Sequence, residues 1–212
     1  YPLGWGTYNL GSYGYYQPVI NYFSAANARD GNSFANISLS ADNGWTTGHV
    51  LNPDNANPQI CSPGESPLVC EYRVVRPSVA LIMLGTNDMA RIDAAKFREN
   101  MNKIVETSIE MGVIPVISTV PNRLGFDITP YNNVIRETSL AYDIPLWDYW
   151  SAMQNAPNTG LSADGVHPSW APGDYSASAN FSDTNLQYGY VIRNLNALEV
   201  LDAVWRNVLA GG

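Results

Sequence analysis

Val79-Ala80-Leu81-Ile82-Met83-Leu84 runs without a polar residue and stops at Gly85. An unbroken apolar run of this length, ended by a glycine, reads as a strand covered on both faces, which is the habit of parallel sheets. Such a strand needs a crossover helix, and the chain supplies one. Between 93 and 111 the apolar residues Phe97, Met101, Ile104, Val105 and Ile109 recur at helical spacing, with Gly112 as the expected stop. Val113-Ile114-Pro115-Val116-Ile117-Ser118-Thr119-Val120 then predicts a second buried strand, its proline near the start where a missing N–H is best tolerated. Strand, helix, strand in this order implies a right-handed parallel crossover.

The unit repeats. A helix is expected over about 130–142, a short strand around Ile144-Pro145-Leu146-Trp147, and a closing helix over 194–209 with Leu195, Leu198, Leu201, Val204 and Val208 turned inward. The fold class is therefore α/β with a parallel sheet. The first 75 residues are less regular: Gly4, Gly6, Gly11 and Gly14 interleave with Tyr and Trp ahead of a helix expected from about 15 to 26. Two long irregular stretches, 52–77 and 168–190, are expected to be functional loops, because structureless segments of that length are uncommon inside compact domains.

Composition narrows the partners. The net charge of -8, with no cluster of Lys or Arg, removes the attraction that draws proteins to nucleic acid or anionic membranes. No apolar run approaches the roughly 20 residues a bilayer span requires. The opening residues lack the pattern of a secretory leader. With 212 residues, 45% of them hydrophobic, the chain suits one domain, 1–212, able to bury a core unaided. Cys61 and Cys70 lie nine residues apart in a Pro- and Gly-containing stretch. Turn-forming residues between them favour a local disulfide on a surface loop, the alternative being two buried free thiols, and a disulfide implies a secreted or extracytoplasmic protein.

Two short motifs carry chemistry. Gly85-Thr86-Asn87-Asp88 stands at the carboxyl end of the first buried strand, where open α/β sheets bind ligands. A Gly lets backbone approach a ligand there, and the Asn87 amide is a donor for a developing oxyanion; the plainer reading has Asn87 and Asp88 capping the next helix. In Asp164-Gly165-Val166-His167 the acid, three residues before the base, can accept from one imidazole nitrogen and leave the other as general base.

Together these blocks resemble the SGNH or GDSL-type hydrolases, a family of lipases, esterases and carbohydrate deacetylases. The resemblance implies a three-layer α/β/α, flavodoxin-like fold, its first strand falling before the chain as given. It also implies a Ser-His-Asp triad in which Asp164 and His167 are two members. Asn87 and the backbone amide of Gly44, in the looser match Asn36-Ile37-Ser38-Leu39-Ser40-Ala41-Asp42-Asn43-Gly44-Trp45-Thr46-Thr47, would form the oxyanion hole, with Gly85, Thr86 and Asp88 in support. The family's Gly-Asp-Ser block is absent. The serine is expected upstream of Tyr1; Ser12, in Leu10-Gly11-Ser12-Tyr13-Gly14, lacks the preceding strand. No cofactor or metal is implied, and the substrate is expected to be a small ester or an acylated carbohydrate. A catalytically inactive carbohydrate-binding module on the same fold stays open as an alternative, and a structural domain is the remote third reading.

Overall fold

The computed structural model describes residues 6–210. In chain order it contains a 3-10 turn (Gly11–Tyr16), α1 (Gln17–Ser24), β1 (Asn27–Ala28), β2 (Gly31–Asn32), α2 (Thr47–Leu51), α3 (Pro67–Val75), β3 (Val79–Ile82), α4 (Ala94–Glu110), β4 (Ile114–Ser118), α5 (Thr129–Tyr142), β5 (Leu146–Trp147), α6 (Tyr149–Met153) and α7 (Gly189–Val204), with further short 3-10 turns between. Contacts sort the residues into two groups. One comprises Tyr1–Asn36, Pro121–Gly125 and Trp147–Gly212, the other Ile37–Val120 and Phe126–Leu146.

The second group holds the sheet. β3 pairs with β4 in parallel, Val79 opposite Ile114 through Ile82 opposite Ile117, and the strand order is β3-β4-β5. The crossover between them is α4, whose N-cap Asp93 accepts from the Lys96 amide at 2.8 Å. Its Phe97, Met101, Ile104 and Val105 are buried. Gly112, at φ +75°, takes the chain out of the helix as its sequence position predicts. α5 packs against α4, and Asn132 of α5 ties down the chain just beyond β4, its Oδ1 accepting from the Val120 amide at 2.8 Å and its Nδ2 donating to the Val120 carbonyl at 3.0 Å.

Two expectations need correcting here. The apolar run at 79–84 is not fully covered on both faces, since Leu81 is 39% exposed; separately, among the described residues no strand pairs along the edge of β3 away from β4. Nor is 52–77 a loop throughout, because α3 occupies Pro67–Val75. Ser66 caps it, its side chain accepting from the Val69 amide, and Pro67 takes a first-turn position where its missing N–H costs nothing. The Cys61–Cys70 disulfide therefore links a loop to a helix, and Cys70 is fully buried rather than set on the surface.

In the first group α7 packs against α1 and α6. Leu195, Leu198, Leu201 and Val204 face inward as expected, but Val208 is 53% exposed. It lies in a π-helical turn, Trp205–Leu209, whose wider pitch breaks the 3.6-residue repeat the earlier leucines follow. The helix also starts five residues earlier than the apolar pattern suggests. Gly189 allows this: a Cβ there would meet the Gly160 carbonyl oxygen at 2.1 Å. No helix among the described residues is long and apolar enough to cross a membrane.

Candidate active site

Gly85, three residues beyond β3, has φ +128°, and an added Cβ would press on Phe97 and Val120 at 3.2 Å, so both backbone and packing call for glycine. The turn it makes delivers Asn87 and Asp88 to the segment 44–47 of the same group. Asn87 Nδ2 donates to the Trp45 carbonyl at 3.1 Å. Asp88 is fully buried and accepts from the Thr47 amide at 2.9 Å and 3.2 Å and from the Thr47 hydroxyl. Burial pushes its carboxyl above the usual range, against the pull of those Thr47 hydrogen bonds. Neither side chain caps the following 3-10 turn, so the plainer reading of Asn87-Asp88 as a helix cap does not describe them. Gly44, at φ +75°, sits in an exposed turn closed by the Trp45 amide donating to the Asp42 carbonyl at 3.3 Å.

In the other group, Asp164 and His167 form the expected pair. Asp164 Oδ2 and His167 Nδ1 lie 2.8 Å apart, while Asp164 Oδ1 accepts from the amides of Val166 (2.8 Å) and His167 (3.0 Å). The His167 hydrogen bond, then the two amides, hold the Asp164 carboxyl down at about 2. With the Nδ1 proton directed at Asp164, the ring presents Nε2 as a base, and the His167 side chain is 66% exposed. A tight turn builds the pair: the Ser162 amide donates to the His167 carbonyl at 2.8 Å, and Gly165, at φ +68°, donates to the Ser162 carbonyl at 3.0 Å. A Cβ on Gly165 would fall 2.6 Å from Leu124 Cβ, whose own amide donates to the Gly165 carbonyl at 2.8 Å.

Gly44, Gly85, Thr86, Asn87 and Asp88 thus lie in one group and Asp164 and His167 in the other. Sequence reasoning missed several neighbours. Thr47 donates to Asp88 and Asn100 donates to Thr47 Oγ1 at 2.9 Å, pairings too distant in sequence to be marked there. After His167 in the chain come two exposed rings, Trp170 and Tyr175, and half-buried Tyr190: Trp170 packs on Tyr190 with centroids 4.0 Å apart and edge-on to Tyr175 at 5.6 Å, and Tyr190 is close enough to Asp164 to feel its charge. His49 uses Nδ1 to accept from the Thr46 amide at 3.2 Å at the start of α2, a capping duty. Ser12 lies in the exposed 3-10 turn at Gly11–Tyr16 with no strand ahead of it among the described residues. The cluster with metal-ligand spacing among those residues, Cys61, Glu65 and Cys70, has its sulfurs joined in the disulfide, and the Glu65 carboxylate is paired with Arg73 at 2.5 Å.

The GDSL-like Lipase/Acylhydrolase family model matches residues 4–171. A search of curated proteins returns no match. Among solved structures, the lipase/acylhydrolase from Enterococcus faecalis is 25% identical, with 64% of this chain and 66% of that one covered at a TM-score of 0.47. A GDSL-like lipase from Bacteroides thetaiotaomicron is 18% identical, with 76% of this chain and 73% of that one covered at a TM-score of 0.51, a likeness of fold. The chain spans just under two thirds of the Enterococcus protein and somewhat more of the Bacteroides one.

Proposed function

The chain belongs to the GDSL-like lipase/acylhydrolase family, and from that premise we propose that it is the larger part of a serine esterase acting on carboxylic esters. In this reading a serine attacks the ester carbonyl, His167 takes its proton and returns it to the leaving alcohol, and Asp164 keeps the imidazole oriented. The Gly44 amide and the Asn87 side chain hold the oxyanion, with Gly85, Thr86 and Asp88 supporting them. The observation that carries the reading is the 2.8 Å pair of Asp164 Oδ2 and His167 Nδ1 on a turn that only Gly165 allows.

The sequence contains no Gly-Asp-Ser, so the nucleophile is assigned to residues preceding Tyr1. The edge of β3 away from β4, along which no strand pairs among the described residues, supports this: such an edge of an apolar strand can take another strand, and the segment delivering the serine would fill it. The disulfide favours an extracytoplasmic setting. The exposed faces of Trp170 and Tyr175 beyond His167 favour an acylated carbohydrate as the ester, since flat rings suit the C–H faces of sugars.

The polypeptide translated from the full reading frame is expected to carry Gly-Asp-Ser ahead of Tyr1 and to hydrolyse a short-chain p-nitrophenyl ester, with His167→Ala reducing turnover to background. An upstream sequence without that block, or a His167→Ala variant of parental turnover, sinks the proposal. The same exposed rings favour one second reading, a carbohydrate-binding module without turnover. It predicts no ester hydrolysis together with oligosaccharide binding that Trp170→Ala weakens.

A further inference from the structure

The segments 44–47 and 85–88 are joined by more bonds than a passing contact requires. Asn87 Nδ2 donates to the Trp45 carbonyl at 3.1 Å; two residues along one segment and one along the other, the Thr47 amide donates to both oxygens of Asp88. The direction of the remaining proton is fixed as well. Asn100 Nδ2 donates to Thr47 Oγ1 at 2.9 Å, which leaves the hydroxyl to give its one proton to Asp88 Oδ1. Asn100, Thr47 and Asp88 are all buried, so the chain of donors Asn100 to Thr47 to Asp88 is shielded from competing water.

The geometry has a consequence for the donors on either side. A side-chain amide carries two N–H groups. The one that Asn87 gives to the Trp45 carbonyl sets the plane of the amide and hence the aim of the other. That same Trp45 lies next to Gly44, in the turn whose backbone amide is the second donor of the proposed oxyanion hole. We propose that Asp88, acting through Thr47, whose hydroxyl Asn100 orients, is the positioning residue that holds the Gly44 amide and the Asn87 side chain in register as a donor pair. The inference rests on the esterase reading above; it gives the support of Asp88 a route and adds Thr47 and Asn100, residues that touch no substrate.

Thr47 allows a test that separates positioning from packing. Thr47→Val keeps the buried volume and removes the hydroxyl; Thr47→Ser keeps the hydroxyl and removes a methyl group. In the full-length protein with a p-nitrophenyl ester, Thr47→Val is expected to lower kcat by about tenfold or more, since misplacing a reacting group by about 1 Å costs on the order of 10² in rate. KM should stay within about twofold. Thr47→Val leaves a buried carboxylate oxygen and a buried amide without their hydroxyl partner and should melt lower than the parent, so the inference requires kcat measured well below that melting temperature to fall all the same, whereas Thr47→Ser should keep kcat within about threefold. Asp88→Asn should repeat the kcat loss. Parental kcat in Thr47→Val overturns the inference, as does a loss in both variants that merely follows their melting temperatures. If Thr47→Val does not fold, Asn100→Ala is read in the same way, and unchanged kcat there overturns it. A parent without esterase activity removes the underlying reading and this inference with it; an active parent with an indifferent Thr47 removes the inference alone.

Discussion

The Asp164-His167 pair was legible because it is local. Three residues of separation let a carboxylate fold back onto the imidazole, and the bond is present at 2.8 Å. What makes the turn possible is not legible, because it depends on Leu124, 41 residues away in sequence, reaching within 2.6 Å of where a Gly165 Cβ would stand. Gly165→Ala combines that overlap with a positive φ of +68°, a conformation costing about 1–2 kcal/mol for a residue with a Cβ. It is expected to lower the melting temperature measurably and to lower ester turnover further than the stability loss explains. Acid should act on the same pair. The folded Asp164 carboxyl sits at about 2, below the roughly 3.9 of an unfolded aspartate, so its contribution is present above about pH 4 and is lost as pH falls through about 2. Asp164→Asn should flatten the fall in melting temperature between about pH 4 and pH 2; an unchanged slope would show that the pair does not hold in solution.

Elements with a regular apolar pattern are legible: α4 follows its spacing except at Ile109, which is 46% exposed near its C-terminal end, and β4 follows its apolar run. Elements whose start is marked by an ambiguous residue are not. Pro67 reads as loop punctuation yet begins α3, because proline breaks a helix interior and suits its first turn equally well. The same ambiguity conceals the setting of the disulfide, which ties buried Cys70 on α3 to Cys61 across a nine-residue separation. α3 in turn carries Glu71, whose Oε2 accepts from the Leu39 amide at 2.7 Å, and it packs against α2, the helix that begins at Thr47. Removing a cross-link over a loop of about 10 residues costs about 2.5–3 kcal/mol by chain entropy. At about 2–4 °C per kcal/mol for a chain of this size, Cys61→Ser/Cys70→Ser should melt about 5–12 °C lower. A shift of under about 2 °C would mean that the reduced loop is already held by the Glu65–Arg73 pair and the Ser66 cap.

At the scale of the molecule the sequence pointed to one domain, while contacts divide the residues into two groups, and chain connectivity bears on which description governs folding. The backbone passes from one group to the other at 36–37, 120–121, 125–126 and 146–147, four crossings, and the last of them falls inside β5. Independently folding domains meet at linkers where few bonds cross, whereas here the division cuts a strand and isolates 121–125 as a five-residue insert in the opposite group. Neither group closes a continuous chain of its own, so each needs the other's segments to complete its connections. We therefore propose that 1–212 unfolds as one cooperative unit. Calorimetry should give a single transition of about 150 kcal/mol, from about 0.7 kcal/mol per residue near 60 °C, with calorimetric and van't Hoff enthalpies equal. Two resolved transitions, each with a fraction of that enthalpy, would instead make the two groups separate folding units despite the shared strand.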